Sequence, residues 1–271
     1  MFAAAIIVFR EVLEASLIVS VMMAATRGVP GRLRWLAGGV LLGLLGSVVV
    51  ASSMEVIASL ADGLGQELFN ATLLLAAVAM LAWHNIWMAV HGRELAQQMT
   101  TTAQGVRDGS RQRSVILLVV ALAVLREGSE TVLFLYGLAN TGEAGLRDTL
   151  GGGALGLSAG ALVAAMLYGG LLRIPVRWFF SVTSVLVLLL AASMGAQATR
   201  MLIQADLLPS LAMPLWDLSQ VLPQDTAVGT VLHGLIGYEA QPAGMQVLVY
   251  GLLLLVIGGG MRWVRTRDTP V

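Results

Sequence analysis

Seven long apolar stretches run along the chain, separated by polar segments. A helix needs about 20 mostly apolar residues to cross a bilayer, and none of the stretches shows the alternation of a β-barrel strand. The pattern therefore predicts an all-α, polytopic membrane protein with seven transmembrane helices, forming a single membrane transport domain over residues 1–271. The stretches cover residues 2–26, 35–54, 68–91, 114–138, 150–171, 178–202 and 245–261.

Two connecting segments are longer than the others. Residues 203–244 contain four prolines, which argue against an eighth span. We expect an outer loop there, with a short interfacial or re-entrant helix over Thr226–Tyr238. The segment 92–113 is polar and contains Gly105 and Gly109, which favours a flexible connector.

Composition places most of the chain in lipid. Hydrophobic residues make up 57% of it and charged residues only 12%, whereas an average soluble domain carries about twice that share of charge. A formal net charge of zero gives no electrostatic case for nucleic acid. The absence of cysteine excludes disulfides, iron–sulfur clusters and thiolate metal sites.

The distribution of charge predicts the orientation. All 16 basic residues are arginine, and most of them lie in alternate connections and after the last span, whereas the other connections collect acids. The positive-inside rule then places the N-terminus outside and the C-terminus in the cytoplasm. The arginine-rich segments are 27–34, 93–113, 173–177 and 262–267.

An R-E-x-x-E pattern occurs twice, each time near the middle of a predicted span. The first copy is Arg10-Glu11-x-x-Glu14 and the second is Arg126-Glu127-x-x-Glu130. Spans 1 and 4 run in opposite directions in the predicted topology. The two copies therefore indicate an inverted 3+3 repeat, with halves 1–91 and 114–202, an outer loop 203–244 and an additional helix 245–261. Small-residue spacings in spans 2 and 5 support the repeat more weakly.

The two motifs together contain four carboxylates and two guanidinium groups. Each ionised group costs about 2.5–3.5 kcal/mol at mid-bilayer on insertion scales, so six of them require a reason. If the motifs face each other, the excess of carboxylate calls for protons or a metal cation. Oxygen donors suit magnesium, calcium, manganese and iron, and each arginine can orient a carboxylate. The alternative is that each motif is an internally neutralised contact between helices.

With these motifs in the first and fourth of seven spans, the sequence resembles the oxidase-dependent iron permeases of fungi and bacteria. The resemblance implies that Glu11, Glu14, Glu127 and Glu130 move iron across a bacterial inner membrane, with Arg10 and Arg126 supporting them. It implies iron as the transported substrate and no tightly bound cofactor. It also implies partners outside the membrane, namely a periplasmic cupredoxin-like protein and a haem peroxidase or another oxidase. Fungal members carry further acidic motifs in exposed segments, and no second E-x-x-E occurs outside the spans here.

Four further residues are candidates for metal contact, although each has a simpler explanation. His84 and His91 lie in or at the end of span 3, where a histidine bonded to a neighbouring helix is the commoner case. Asp217 and Glu239 lie in the outer loop, where acids can concentrate cations or form ordinary solvated surface.

Three other functions fit parts of the pattern. One is a proton-coupled transporter of another divalent cation such as manganese. Another is an anion or amino-acid carrier anchored by the two motif arginines. The third is an intramembrane metal-dependent enzyme. Ferritin-like di-iron chemistry would require E-x-x-H motifs, whereas both motifs here are E-x-x-E.

Overall fold

The computed structural model describes residues 1–60, 66–139, 145–169 and 176–267, and every regular element among them is a helix. All seven predicted apolar stretches are helical within the described residues, and a shorter helix precedes the last of them. The helices are α1 (Phe2–Ala25), α2 (Arg32–Leu60), α3 (Gln66–Arg107), α4 (Ser114–Ala139), α5 (Leu146–Tyr168), α6 (Val176–Gln204), α7 (Ala227–Ile236) and α8 (Gly244–Arg267).

Five of these helices, α2, α3, α5, α6 and α8, are long and apolar enough to cross a membrane. Helices α1 and α4 have similar length, at 24 and 26 residues. Each, however, carries the three charged residues of one R-E-x-x-E motif near its middle. The charges that set α1 and α4 apart are therefore the motif residues themselves.

The connector predicted over 92–113 is wrong for most of its length, because α3 continues to Arg107. Residues 94–104 contain no proline or glycine and are rich in alanine, glutamine and other helix formers, which tolerate the polar environment as helix. Ala103 and Val106 are buried near the end of α3, in an apolar cluster with Ile116 of α4. That packing stabilises the extension and leaves a turn over 108–113.

The short helix expected in the outer loop is present as α7. The Thr226 hydroxyl accepts a hydrogen bond from the Gly229 amide at 3.0 Å, which is an N-cap arrangement. The helix ends at Gly237, whose φ of 70° lies in the left-handed region that glycine adopts without strain. The Tyr250 hydroxyl of α8 donates to the Ile236 carbonyl at 2.7 Å, so the end of α7 is tied to the last long helix.

Close helix pairs surround the two motif helices. Helix α2 packs along α4, α5 packs along α1, and α1 and α4 also contact each other. Glycines permit these approaches, since a Cβ on Gly43 of α2 would lie 2.7 Å from Val124 Cβ and one on Gly156 of α5 would lie 3.0 Å from Val8 Cβ. Small residues at such positions let helix backbones approach closely, which fixes α1 and α4 at the centre of the bundle.

Candidate metal centre

The two motifs are buried where α1 and α4 meet. Arg10, Glu11 and Glu14 of α1 and Glu127 and Glu130 of α4 are all buried. Within each motif the arginine pairs with the glutamate four positions later, as the helical period predicts. Arg10 Nε lies 2.8 Å from Glu14 Oε1, and Arg126 Nε donates to Glu130 Oε1 at 3.3 Å. The structure thus brings together all four glutamates that the sequence singled out.

His84 of α3 joins the two motifs. Its Nε2 lies 3.0 Å from Glu14 Oε2, and its Nδ1 lies 2.7 Å from Glu130 Oε2. The imidazole is buried, and the amide of the adjacent Asn85 donates to the Ser184 carbonyl of α6 at 3.1 Å. This second bond fixes α3 next to the site, so a helix outside the motifs supplies a donor between them.

His84 Nδ1 has two polar neighbours, Glu130 Oε2 at 2.7 Å and Arg126 Nη2 at 3.3 Å. A protonated Nδ1 donates to the Glu130 carboxylate, whereas a bare Nδ1 accepts from Arg126. In the second state a proton or a metal cation could join Nδ1 to the Glu130 oxygen.

Glu11 and Glu127 bring carboxyl oxygens into the site that have few hydrogen-bond or ion-pair partners in the protein. The carboxyl groups of Glu11 and Glu127 lie within hydrogen-bonding reach of each other, and both oxygens of Glu11 and Oε2 of Glu127 are buried without another donor among the described residues. The ion pairs of these two glutamates are long, with Arg10 Nη1 at 3.8 Å from Glu11 Oε1 and Arg126 Nε at 3.9 Å from Glu127 Oε1. Unsatisfied buried acceptors are costly, and a bound cation would satisfy them.

One donor atom from each of Glu11, His84, Glu127 and Glu130 lies within 4.8 Å of the other three. Three helices therefore contribute to one set of three oxygen donors and one nitrogen donor. Glu14 is not among the four, and its carboxylate contacts Arg10 and His84. A carboxylate that accepts from the distal nitrogen of a ligating histidine fixes the ring and its tautomer, and Glu14 has that position.

The two arginines differ in their surroundings although their motifs are alike. Arg10 is only 1% exposed, whereas the side chain of Arg126 is 38% exposed. The Arg126 guanidinium lies 4.8 Å from the centroid of the Trp87 ring, a cation–π contact. Arg126 thus has a second contact beside the site, with Trp87, whereas Arg10 is held by the carboxylates of its own motif.

Packing also accounts for the residues inside the motifs. Gly128, in the second motif, faces Ser47 of α2, and a side chain there would collide with it. In the first motif the corresponding residue is Val12, which faces Gly160 of α5. One glycine therefore lets each motif pack closely against a neighbouring helix. It is Gly160 of α5 for the first motif and Gly128 of α4 for the second.

Asp217 and Glu239 take part in a separate network in the outer segment. Asp217 accepts from the Ser219 amide at 2.9 Å and from the Gln241 side chain at 2.9 Å. Hydrogen bonds from the Ser219 hydroxyl and amide and from Gln241 hold the pKa of the Asp217 carboxyl below its ordinary 3.8. Glu239 accepts from the Gln246 side chain at 3.1 Å and lies 3.5 Å from Arg200. The side chain of the fourth further candidate, His91, lies outside the described residues.

The sequence presents His84 only as one of four further candidates for metal contact and does not single out Trp87. The signal was available, because an ionisable residue within a membrane span is a functional candidate by default. The three-residue spacing also places His84 and Trp87 near one face of α3. What the sequence did not contain was the distance between α3 and the two motif helices.

Comparison with known proteins gives a consistent family result. Residues 1–266 match the model of the Iron permease FTR1 family. The chain is 31% identical over 261 residues to the ferrous iron permease EfeU of Escherichia coli O6:H1, covering 94% of this chain and 93% of that protein. It is also 31% identical over 264 residues to the ferrous iron permease EfeU of Yersinia pestis, covering 94% and 91% respectively. No solved structure matches the chain.

Proposed function

The chain belongs to the Iron permease FTR1 family, and from this premise we propose that it carries iron through one cage formed by both motifs. The chain is accordingly a membrane permease and not an enzyme. The observation that carries the proposal is the meeting of donor atoms from Glu11, His84, Glu127 and Glu130 within 4.8 Å. Each motif alone would supply too few donors to replace the hydration shell of a metal ion.

In this proposal the five acidic and imidazole groups have two roles. Glu11, Glu127, Glu130 and His84 contact the ion, and Glu14 orients His84 through Nε2. Arg126 donates to His84 Nδ1 at 3.3 Å. Arriving iron replaces that contact, and Trp87 supports the displaced guanidinium. Arg10 stays paired with Glu14 and keeps the orienting carboxylate ionised.

The donor set favours ferrous iron as the ion that crosses. Imidazole nitrogen suits iron and other transition metals, whereas magnesium and calcium take oxygen donors. The relatives from Escherichia coli and Yersinia pestis carry the name ferrous iron permease, which agrees with a mixed nitrogen and oxygen site. Protons compete with metal for these ligands, so iron binding should weaken as the pH falls.

The packing pattern supports seven spans with an inverted repeat. Val120 and Val124 of α4 face Gly39 and Gly43 of α2, and Ala4 and Val8 of α1 face Gly152 and Gly156 of α5. The offset between the α1 and α4 partners equals that between Arg10 and Arg126. An exchange of α1 with α4 and of α2 with α5 therefore maps one interface onto the other, as a pseudo-twofold axis requires.

The direction of the helices agrees with inversion. Residue numbers rise together along the α2–α4 contacts and along the α1–α5 contacts, so each pair is parallel. A short turn over 26–31 joins α1 to α2, so α2 runs antiparallel to α1. Because α4 is parallel to α2, α4 also runs antiparallel to α1. Rocking of one half against the other would then expose the cage alternately, with the N-terminus outside and the C-terminus in the cytoplasm.

We also propose that iron is delivered by a partner outside the membrane. The carboxylate oxygens of the outer acids Asp217 and Glu239 accept hydrogen bonds from the protein. They therefore have few lone pairs left to coordinate free iron. A periplasmic cupredoxin-like protein and a haem peroxidase or another oxidase are the partners that the family resemblance implies.

Uptake of radioactive iron into liposomes that contain the purified protein tests the proposal. Glu11→Gln and Glu127→Gln remove one donor from each motif without a large change in volume, and each should abolish most uptake. Asp217→Asn is the matched control and should transport iron as the wild type does. Full iron uptake by both motif variants would overturn the proposal and would favour the anion carrier anchored by the arginines.

Competition separates iron from the manganese alternative. An excess of manganese should reduce iron uptake only partly if the cage selects iron, whereas a manganese transporter would take up manganese faster than iron. Preferred uptake of manganese would contradict the assignment of iron as substrate, while leaving the cage itself intact.

A further inference from the structure

A cavity of about 710 Å³ lies at the arginine-rich end of the bundle, away from the motifs. Its walls are formed by the turn between α1 and α2, the end of α3, and the turn between α3 and α4. The lining includes Val29, Trp35, Val106, Arg107, Arg111 and Arg113.

The cavity rim carries positive charge with little compensation. Arg107 Nε lies 3.7 Å from Asp108 Oδ1, and both side chains are more than half exposed, so this pair contributes little. Arg111 donates to the uncharged Thr102 hydroxyl at 3.3 Å. In the described part of the chain, no carboxylate forms an ion pair with Arg111 or Arg113. Helix α4 begins at Ser114 in the same wall, and its N-terminal dipole adds to the positive potential.

The rest of the cavity is apolar and continues toward lipid. Val29 and Val106 are buried parts of the same apolar cluster, and they form the floor beneath the arginines. Trp35 is partly buried in the wall, as is typical of an aromatic side chain at a membrane interface. Helix α2, which contributes Trp35 to the cavity, also presents Leu33 and Leu41 to lipid, each 62% exposed.

We propose that this cavity binds the phosphate group of an anionic phospholipid from the leaflet at the arginine-rich end. The guanidinium groups of Arg107, Arg111 and Arg113 contact the phosphate oxygens, which they can approach with paired N–H groups. The acyl chains lie on the exposed leucines of α2. A soluble phosphate compound would share the first contact but would leave the apolar floor and the leucine surface without a partner. Basic pockets between helices are known to accept anionic head groups.

Native mass spectrometry and thermal unfolding of the purified protein in mild detergent test this site. The probes are short-chain phosphatidylglycerol, short-chain phosphatidylcholine and inorganic phosphate. Phosphatidylglycerol should bind and raise the melting temperature, and the other two should do neither. Each basic residue near an anionic surface changes affinity about fivefold. The variant Arg107→Gln/Arg111→Gln/Arg113→Gln should therefore bind phosphatidylglycerol about a hundredfold more weakly.

Arg147→Gln is the matched control, because Arg147 is an exposed arginine on α5, outside the cavity lining. It should bind phosphatidylglycerol as the wild type does. Equal binding of phosphatidylglycerol by the triple variant and the wild type would overturn the site. Binding of inorganic phosphate without binding of phosphatidylglycerol would overturn the assignment to lipid. Unfolding of the variants in phosphatidylcholine alone shows whether the substitutions damage the fold itself.

Discussion

Replacement of His84 by glutamine should separate the affinity of the cage for iron from its affinity for magnesium. Glutamine keeps a polar side chain of similar length but offers an amide oxygen where the imidazole offers Nδ1. His84 supplies the nitrogen among the four clustered donor atoms. Loss of a residue that merely orients a ligand lowers metal affinity about 10–100-fold. Loss of the ligand itself should therefore lower Fe²⁺ affinity by at least about a hundredfold.

Magnesium should respond differently, because it accepts an amide oxygen in place of the lost nitrogen. Its affinity should stay the same or rise, so selectivity for Fe²⁺ should fall by about the same factor as Fe²⁺ affinity. Glu14→Gln offers a graded comparison. This substitution leaves His84 in place but weakens the contact that orients its ring, in which Glu14 Oε2 lies 3.0 Å from His84 Nε2. The resulting loss of Fe²⁺ affinity should fall within the 10–100-fold range.

Anaerobic calorimetric titration with Fe²⁺ and Mg²⁺, followed by uptake into liposomes with magnesium in competition, measures both quantities. His233→Gln is the control, since His233 lies on α7 with Nδ1 bonded to the Tyr238 carbonyl at 2.7 Å. It should bind both metals as the wild type does. Unchanged Fe²⁺ affinity and unchanged selectivity in His84→Gln would refute direct ligation by His84 and would leave it as a structural link between the motifs.

Three further predictions concern stability. Glu14→Gln should destabilise the metal-free protein by about 3–5 kcal/mol, since it unpairs an arginine that is only 1% exposed; Glu130→Gln should cost less, and equal melting temperatures would contradict the difference. Gly43→Ala should lower the melting temperature, because its Cβ would lie 2.7 Å from a valine Cβ, whereas Gly251→Ala, with open space around it, should not. The pKa of Asp217 is held below 3.8, so its ionised form favours the folded outer segment above that value; the protection factors for hydrogen exchange over 213–225, which correct for the intrinsic effect of pH, should fall only as the pH falls below 3.8.

The helices could be predicted from the sequence because apolar residues in lipid leave few choices to the backbone. Within the described residues all seven predicted stretches are helical over most of their length, and α7 lies where a short helix was expected. The extension of α3 to Arg107 was missed since polar residues after a span resemble a loop when their buried contacts are unknown. Ala103 and Val106 pack inside, which depends on where α4 begins in space.

The meeting of the two motifs could also be predicted, because charges at mid-bilayer require partners and the predicted repeat would supply them in opposing helices. The sequence could not rank the members of the site. Glu14 and Glu130 hold equivalent places in their motifs, yet only Glu130 belongs to the set of clustered donors. Arg10 and Arg126 also hold equivalent places, yet Arg10 is 1% exposed and the side chain of Arg126 is 38% exposed.

The most direct test of the shared cage is the number of iron ions bound per chain, measured by equilibrium dialysis of the wild type, Glu11→Gln and Glu127→Gln. If both motifs form one site, the wild type binds a single ion in the membrane core, and either substitution alone removes it. If each motif binds metal independently, each single variant would retain the ion held by the other motif. Retained binding in both variants would contradict the account.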